Sequence, residues 1–454
     1  MDPILKRAVL TVGALLAIPI GLFAVAMAIN AVDEDLSLDA KQFLEDAPPP
    51  ATLPAERNAF YAMLGLRAEA GRDIHAMGVA LVAAYHNGLR QNPGGGGQAI
   101  DQEAVLGKQL IGFRGDLKQL CTKEMFSCLE HVSNSGVAIA QLLKDNAVLV
   151  GRYRGLYGYD AYENTTVLTL SSPLPVFSYY TADLLISDGA LKASHGRVVE
   201  AFDIVLDDLA FWRRMLPGRQ ALIEKMIKMG RLTADLRALS ELIRLYGVPK
   251  SRAQRVAAAL EPLTDRERDM VSVIRNEGII YGSLLSRDAW HVVAGGRPGV
   301  GVSLLTLLYQ TQASLNRHAQ LWALYRELAE TPAVKFADRA ESLPRRVSEL
   351  TELHWYDWYN LVGKYIISLG VPDGYGRYPA RMHDLEGLRR LVALQLQIKQ
   401  RAIPDAKIDA FVRDAGAAYR DPYTEQPMRW DPSAHTLSFE GMGGKTTARI
   451  EVRL

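Results

Sequence analysis

From Ala8 to Val32 the chain carries no charged side chain, and Asn30 is the most polar residue in that run. About 20 apolar residues cross a bilayer as a helix, so residues 8–32 are predicted to be a transmembrane anchor, with Pro19 a tolerated kink. Lys6 and Arg7 precede the run, and Asp33, Glu34 and Asp35 follow it. The positive-inside rule then keeps residues 1–7 in the cytoplasm and sends everything after Val32 across the membrane. Ala26-Met27-Ala28 also offers a signal-peptide cleavage site, but the run is longer than the about 7–15 residues of a signal core. Either route exports the rest of the chain. Pro48-Pro49-Pro50 and Pro54 make residues 33–55 read as a stiff stalk.

Residues 56–418 read as a helical domain. Phe60, Met63, Leu64 and Leu66 fall near helical spacing, and a second helix is expected over Ile74–Arg90. Gly94 to Gly97 form a loop, and helices are predicted at Gln102–Leu120 and His131–Tyr153. The plainest helical pattern lies in the middle. Val198, Phe202, Val205, Leu206, Leu209 and Trp212 recur at steps of three and four. Pro217-Gly218 stops that helix, and another runs from Leu222 to Tyr246 before Gly247. Two long helices with a tight joint make an antiparallel hairpin. Thr264 and Glu267 form a capping box for a helix reaching Ser286. Helices over Val302–Glu330, Trp355–Leu369 and Asp384–Ala402 complete the set. No repeat of fixed period is present.

Two regions break the pattern. Tyr153 to Tyr180 mixes tyrosines with the β-prone Val167-Leu168-Thr169-Leu170 and with Pro173 and Pro175. It reads as a long irregular segment holding a short strand, and long segments of this kind are often functional. Residues 419–454 alternate in short runs, most strictly in Arg449-Ile450-Glu451-Val452-Arg453-Leu454. A small antiparallel sheet is expected there. The predicted fold is therefore mainly α: an anchor, a multi-helix domain of antiparallel helices, and a small C-terminal β element.

Composition sharpens this only in part. The chain has 454 residues, 48% hydrophobic and 23% charged, which is enough for a sizeable core. Its 52 basic and 51 acidic residues give a net charge of +1, so nothing electrostatic favours nucleic acid. Cys121 and Cys128 are the two cysteines. In an exported chain they are expected to form one disulfide. Residues seven apart on a helix lie about 10.5 Å apart along its axis, and a disulfide needs Cα atoms within about 7 Å. A bond between them thus requires a turn within Thr122–Ser127; two free thiols in one helix are the alternative.

Catalytic and cofactor patterns are sparse. Gly295 to Ser303 is glycine-rich but lacks Gly-Lys-Ser/Thr, and no G-x-S-x-G, H-E-x-x-H or E-x-x-H occurs. No cofactor or metal is expected. Asp288 and His291 share a helix face, as half a metal site or as a structural hydrogen bond. His75 and His86 lie three turns apart, and His383-Asp384 reads as a helix cap. His354-Trp355-Tyr356-Asp357-Trp358-Tyr359 offers a stacking surface, or else an amphipathic face with its polar tips at the rim. Glu277 sits in an apolar stretch where burial would raise its pKa, unless a salt bridge holds it. Asn164-Thr165-Thr166 fits a glycosylation sequon.

The stretch Asp421-Pro422-Tyr423-Thr424-Glu425-Gln426-Pro427-Met428-Arg429-Trp430 resembles a pattern in proteobacterial inner-membrane proteins with periplasmic domains. It is also similar to the C-terminal end of type II secretion pseudopilins. The pseudopilin processing motif is absent, and Thr424 stands where a glycine is expected. The resemblance covers about the last 60 residues and implies a bacterial periplasmic setting, with a local sheet around this loop. It implies no activity.

The expectation is a non-enzymatic scaffold of the bacterial inner membrane, single-pass, with its domain in the periplasm. It would contact lipid through residues 8–32 and bind another envelope protein. The contact surface would be Tyr157, Tyr159 and Tyr162, or Trp355, Tyr356, Trp358 and Tyr359. The rival is an envelope hydrolase acting on a glycan or peptide with Glu277, Asp288, His291 or His354 as acid and base. It requires two of these side chains to converge in an open cleft.

Overall fold

The structure is a computed structural model that describes residues 17–45, 52–91, 100–121, 128–175, 178–285, 304–354, 356–369, 374–444 and 448–454. In chain order its helices are α1 (residues 17–29), α2 (Leu38–Glu45), α3 (Ala59–Leu64), α4 (Ile74–Gln91), α5 (Gln102–Leu106) and α6 (Cys128–Asp145). Next come α7 (Ala147–Gly155), α8 (Ser178–Ser194), α9 (Val198–Met215), α10 (Leu222–Tyr246), α11 (Ala253–Ala259) and α12 (Asp265–Arg268). The last are α13 (Val271–Gly282), α14 (Thr311–Glu330), α15 (Phe336–Thr351), α16 (Leu361–Leu369), α17 (Tyr378–Gln400) and α18 (Asp405–Asp414).

The predicted α9–α10 hairpin is present, and one continuous core is built around α10. Helices α8, α9 and α17 all pack on α10, and α6 packs on α8. A second layer forms where α13 meets α14, which in turn carries α2, α15 and α16. The Thr264–Glu267 capping box forms as expected, and the Glu267 carboxylate also pairs with Arg213 of α9. The predicted helix continuing to Ser286 is broken at Asp269-Met270 into α12 and α13.

The C-terminal sheet is three-stranded and antiparallel, in the order β1 (Arg429–Asp431), β2 (Thr436–Gly441), β3 (Ala448–Arg453). Leu437 is centred between Trp430 and Val452. Leu437, Phe439 and Val452 are buried, and both β2 and β3 pack on α17. Asp384 pins the sheet's edge: its carboxylate accepts the Met442 and Gly443 N–H groups at 3.0 and 2.8 Å. His383 and Asp384 thus lie inside α17 rather than capping a helix, and burial drives the His383 pKa down to about 4.

Several other expectations are corrected. Gln102–Leu120 is not one helix. The chain turns at Gly107 (φ +105°) and Gly115 (φ +115°), leaving α5 and a single 3-10 turn at Leu117–Gln119. Both glycines occupy the left-handed half of backbone space, which other residues resist. Val167–Leu170 forms no strand. The helix expected from Trp355 begins only at Leu361, after Asn360 takes φ +49°. Helices α8 and α15 were not anticipated. Of the expected stalk, residues 38–45 form α2, which packs on α14.

Close packing of α3 on α4 rests on missing Cβ atoms. A Cβ at Gly78 would lie 1.8 Å from the Tyr61 carbonyl oxygen, and one at Gly65 would lie 1.9 Å from that of Ile74. Gly78→Ala should therefore destabilise the protein, although alanine favours the helix by about 1 kcal/mol. Overpacking against backbone costs about 1–3 kcal/mol, so the expected result is a lower urea midpoint; a raised midpoint would show that the two helices do not touch here.

Candidate functional site

The end of the apolar run is built into the domain. Asn30 is buried, and its amide donates to the carbonyls of Ala26 and Trp358, both at 2.8 Å. Its side-chain oxygen accepts the Asn360 N–H at 2.7 Å, and its own carbonyl accepts the Gln310 amide. The Asn360 side chain in turn accepts the Gln310 N–H at 3.0 Å. Three residues on, the Asp33 carboxylate accepts the Gln312 and Ala313 N–H groups at 2.8 and 3.0 Å. Asp33 thereby satisfies two orphan donors and complements the positive end of α14. Glu34 and the Asp35 carbonyl both take hydrogen bonds from Asn316, at 3.0 and 2.9 Å. The acidic triplet after the run is therefore a structural clasp as well as a charge.

Beside this clasp lies the predicted aromatic surface. Tyr356, Asp357, Trp358 and Tyr359 line an open groove of about 380 Å³ whose other wall is Val25 and Ile29 of α1. The His354 ring stacks on Tyr356 at 5.1 Å and 11°. Asp357 pairs with Lys364 at 3.0 Å. Trp355 lies outside the described residues. Helix α1 covers residues 17–29 of the predicted anchor, with Ile18, Ile20, Leu22 and Val25 at least half exposed. Among the described residues no helix is long and apolar enough to cross a membrane; residues 8–16 lie outside them.

The tyrosine surface expected within 153–180 is largely interior. Tyr162 is fully buried, donates to Glu224, and lies under the Lys228 ammonium, which is 3.1 Å from its ring centre. Tyr157 is mostly buried and donates to Asp208 at 3.1 Å. Tyr159 stacks on His75 at 5.9 Å and 15°. Asn164 is also fully buried, with its amide 3.1 Å from both Glu224 oxygens, so the folded chain hides the sequon. What the segment does present is Val167 and Leu170, 55% and 58% exposed. Their loop is held by Tyr85, whose hydroxyl donates to the Val167 carbonyl at 2.7 Å and lies 2.8 Å from the Thr169 hydroxyl.

The candidate acids and bases do not form a pair among the described residues. Glu277 is largely shielded from solvent, and desolvation raises its pKa. It is occupied, however: one oxygen accepts the Leu222 N–H at 3.1 Å, capping α10, and the other accepts the Tyr375 hydroxyl at 2.9 Å. No salt bridge to Arg275 is involved. His354 stands in the exposed loop beside α1 and shares no hydrogen-bond partner with Glu277. Asp288 and His291 lie outside the described residues. No group of three His, Cys, Asp or Glu side chains is placed to hold a metal among the described residues.

The densest ionisable cluster gave no signal in the sequence. Arg231 of α10 is fully buried against Asp183 of α8. Asp208 of α9 accepts the Tyr153 hydroxyl at 2.8 Å, and Asp235 of α10 lies buried near it. Burial, and next the nearby Asp208 charge, hold the Asp235 pKa well above the usual range. Lys225, buried against the carbonyls of Leu216 and Glu267, is pushed down to about 8. The space nearby, between α9, α10 and α17, is about 10 Å³, too small for a substrate. Asp183, Asp208, Arg231 and Asp235 are all buried, so the cluster is closed to solvent in this structure.

Cys121 is buried, and its N–H donates to the Ser187 hydroxyl at 2.9 Å. Leu120 is extended and α6 starts at Cys128, so the two cysteines do not share a helix. The side chain of Cys128 lies outside what the structure describes. No protein-family model matches this chain, and no curated protein or solved structure is similar to it.

Two predictions follow from these contacts. Burial keeps Asp235 protonated above the pH at which an unfolded aspartate loses its proton, so its contribution to stability falls as pH rises above the ordinary carboxylate range. Asp235→Asn should make the stability-against-pH curve decline less toward alkaline pH than that of the parent; parallel curves would refute the raised Asp235 pKa. Asn30→Ala strips partners from the Asn360 N–H and the Trp358 carbonyl. At about 1–3 kcal/mol for an unsatisfied buried group, hydrogen exchange should quicken at Gln310 and Asn360 while α9 and α10 keep their protection.

Proposed function

We propose that this chain is a membrane-anchored scaffold of the bacterial envelope, with its helical domain in the periplasm, where it binds another envelope protein and performs no chemistry. The observation that carries this reading is the polarity of α1. Its apolar side chains Ile18, Ile20, Leu22 and Val25 point outward, while the polar Asn30 is turned into the domain. That arrangement is costly in water and favoured in lipid, where exposed side chains must be apolar and polar groups must find protein partners. The charge asymmetry around residues 8–32 supports the orientation. In that oxidising compartment Cys121 and Cys128 would close one disulfide, since Cys121 precedes α6 and the two do not share a helix.

The absence of catalysis is argued from use. Glu277, the acid best suited by burial, is spent on capping α10 and binding Tyr375. For the partner surface we favour the Val167–Leu170 loop, because it offers two exposed apolar side chains on a backbone fixed by Tyr85. A prefixed loop loses little entropy on binding.

The test has two arms. Alkaline phosphatase fused after Val32 or after Leu454 should be active, and a fluorescent reporter that matures only in the cytoplasm should stay dark; the reverse result would remove the envelope assignment. A photo-crosslinking residue at Val167 or Leu170 in intact cells should yield one discrete adduct with an envelope protein. Recovery of the chain alone would count against the partner surface.

A further inference from the structure

We infer that the domain does not stand clear of the bilayer but rests on it, with α16 and the turn at residues 304–308 inserted at the level of the lipid headgroups. This deepens the proposed function and rests on α1 being the membrane anchor.

The first observation is the reversed amphipathicity of α16. Its exposed residues are Leu361, Tyr365 and Leu369, at 41%, 53% and 67%. They recur every four residues and so form one stripe. The helix has a single charged residue, Lys364, and that one is turned inward to Asp357 at 3.0 Å. A helix bordered by water places its charges outward and its leucines inward. Here Ile367 and Gly363 face the protein, while the outer stripe carries no charge at all.

The second observation is continuity. The 3-10 turn Thr306–Leu308 packs against α16, and Leu304, Leu305 and Leu307 are each nearly half exposed. On the other side, the loop before α16 forms the groove with Val25 and Ile29, and Asn360 and the Trp358 carbonyl hold Asn30. The apolar stripe therefore begins where the anchor leaves the domain. Contiguous apolar surface of this kind marks an interaction site. Its attachment to the anchor selects lipid as the occupant, because a surface tied to the end of a spanning helix is brought to the bilayer whenever the helix is inserted.

Third, the side chains suit that depth. Tyr356, Trp358, Tyr359 and Tyr365 combine an apolar ring with a polar tip, the combination enriched at membrane–water interfaces. Two of the nearby acids are engaged with the domain: Asp33 with α14, Glu34 with Asn316. With no outward cation on α16, attachment is by apolar burial, about 5–10 Å into the headgroup boundary, and salt does not reverse it. Residues 33–45 fit the same arrangement, since they fold back onto α14 instead of spacing the domain from the membrane.

The experiment uses the full chain in lipid nanodiscs. A fluorophore is attached through a keto amino acid, leaving both cysteines untouched, at position 22 in the anchor, 305 or 369 in the proposed face, or 137 as a distant exposed site. Lipids brominated near the headgroup end of the acyl chains serve as quenchers for 305, 369 and 137, and lipids brominated near the methyl end for 22, which lies about 15 Å along the helix from the end of the run. Emission at 305 and 369 should be strongly quenched, and should remain so in high salt, while emission at 137 is unaffected. Quenching at 22 with none at 305 or 369 overturns the inference and leaves the anchor standing. No quenching at 22 overturns both. Energy transfer between labelled chains at 369 without lipid quenching would assign the face to a second copy and also overturn the inference. Leu369→Glu with Leu305→Glu should raise the emission of a 361 label in the brominated discs, with circular dichroism unchanged.

Discussion

A guanidinium with no exposed surface fixes the centre of this protein. Helix α10 is packed by α8, α9 and α17, and every charge on its inner turns must find its partner inside the molecule. Arg231 reaches Asp183 across to α8; Asp235 meets Asp208 on α9; Lys228 donates to Gln220 at 2.6 Å. Removing one member of such a buried pair costs about 3–5 kcal/mol, because the other is left uncompensated. Apolar packing alone would tolerate small rotations of α8 and α9 about α10; these contacts do not. From α10 the constraint passes outward. Its first turn is capped by Glu277 of α13, α13 packs on α14, and the first turn of α14 is capped by Asp33 at the end of the apolar run.

The same rule, that polar groups must be satisfied by protein wherever water is absent, operates in reverse at the other end. In the core, charges are enclosed by apolar side chains. At the junction, Asn30 and Lys364 turn toward the domain and leucines, isoleucines and tyrosines turn away from it. Both patterns are economical if the outer solvent of α1 and α16 is lipid. The aromatic run His354–Tyr359, which the sequence offered as a surface for a sugar or peptide, belongs to this junction.

Legibility in the sequence followed periodicity. Helix α9 was readable because it is buried on one side, which writes a period of 3.6 into the chain, while α10, enclosed by α8, α9 and α17, was marked by its recurring leucines and by Pro217-Gly218 and Gly247 at its ends. Helix α8 wrote no such period: Thr181 through Ala190 are buried all round, polar residues included, so no face distinguished itself. Two further misreadings were local. Gly107 and Gly115 were visible and should have broken the Gln102–Leu120 helix, and Pro173 with Pro175 drew attention away from the helix that follows. The candidate site was half legible. Asn30 was conspicuous as the lone amide in an apolar run, but Gln310 and Asn360, some 280 and 330 positions away, could not be paired with it. Glu277 was rightly placed in an apolar setting; that it caps another helix depends on tertiary packing that no local pattern encodes.

The clasp also bears on how a scaffold of this kind would work. A domain on a flexible stalk samples a broad range of heights and tilts, and a partner must select one of them. Here the residues that would form the upper stalk are bonded to α14, and Asn30, near the end of the apolar run, is bonded to the loop before α16. If α1 is the proposed anchor, orientation relative to the membrane would be set by folding, before any partner arrives. The exposed Val167 and Leu170 belong to the same continuous body, since Tyr85 holds their backbone and Glu224 of α10 holds Asn164 just ahead of them. A partner embedded in the same bilayer would meet that loop at a fixed height, and the ordering cost of the encounter would have been met during folding.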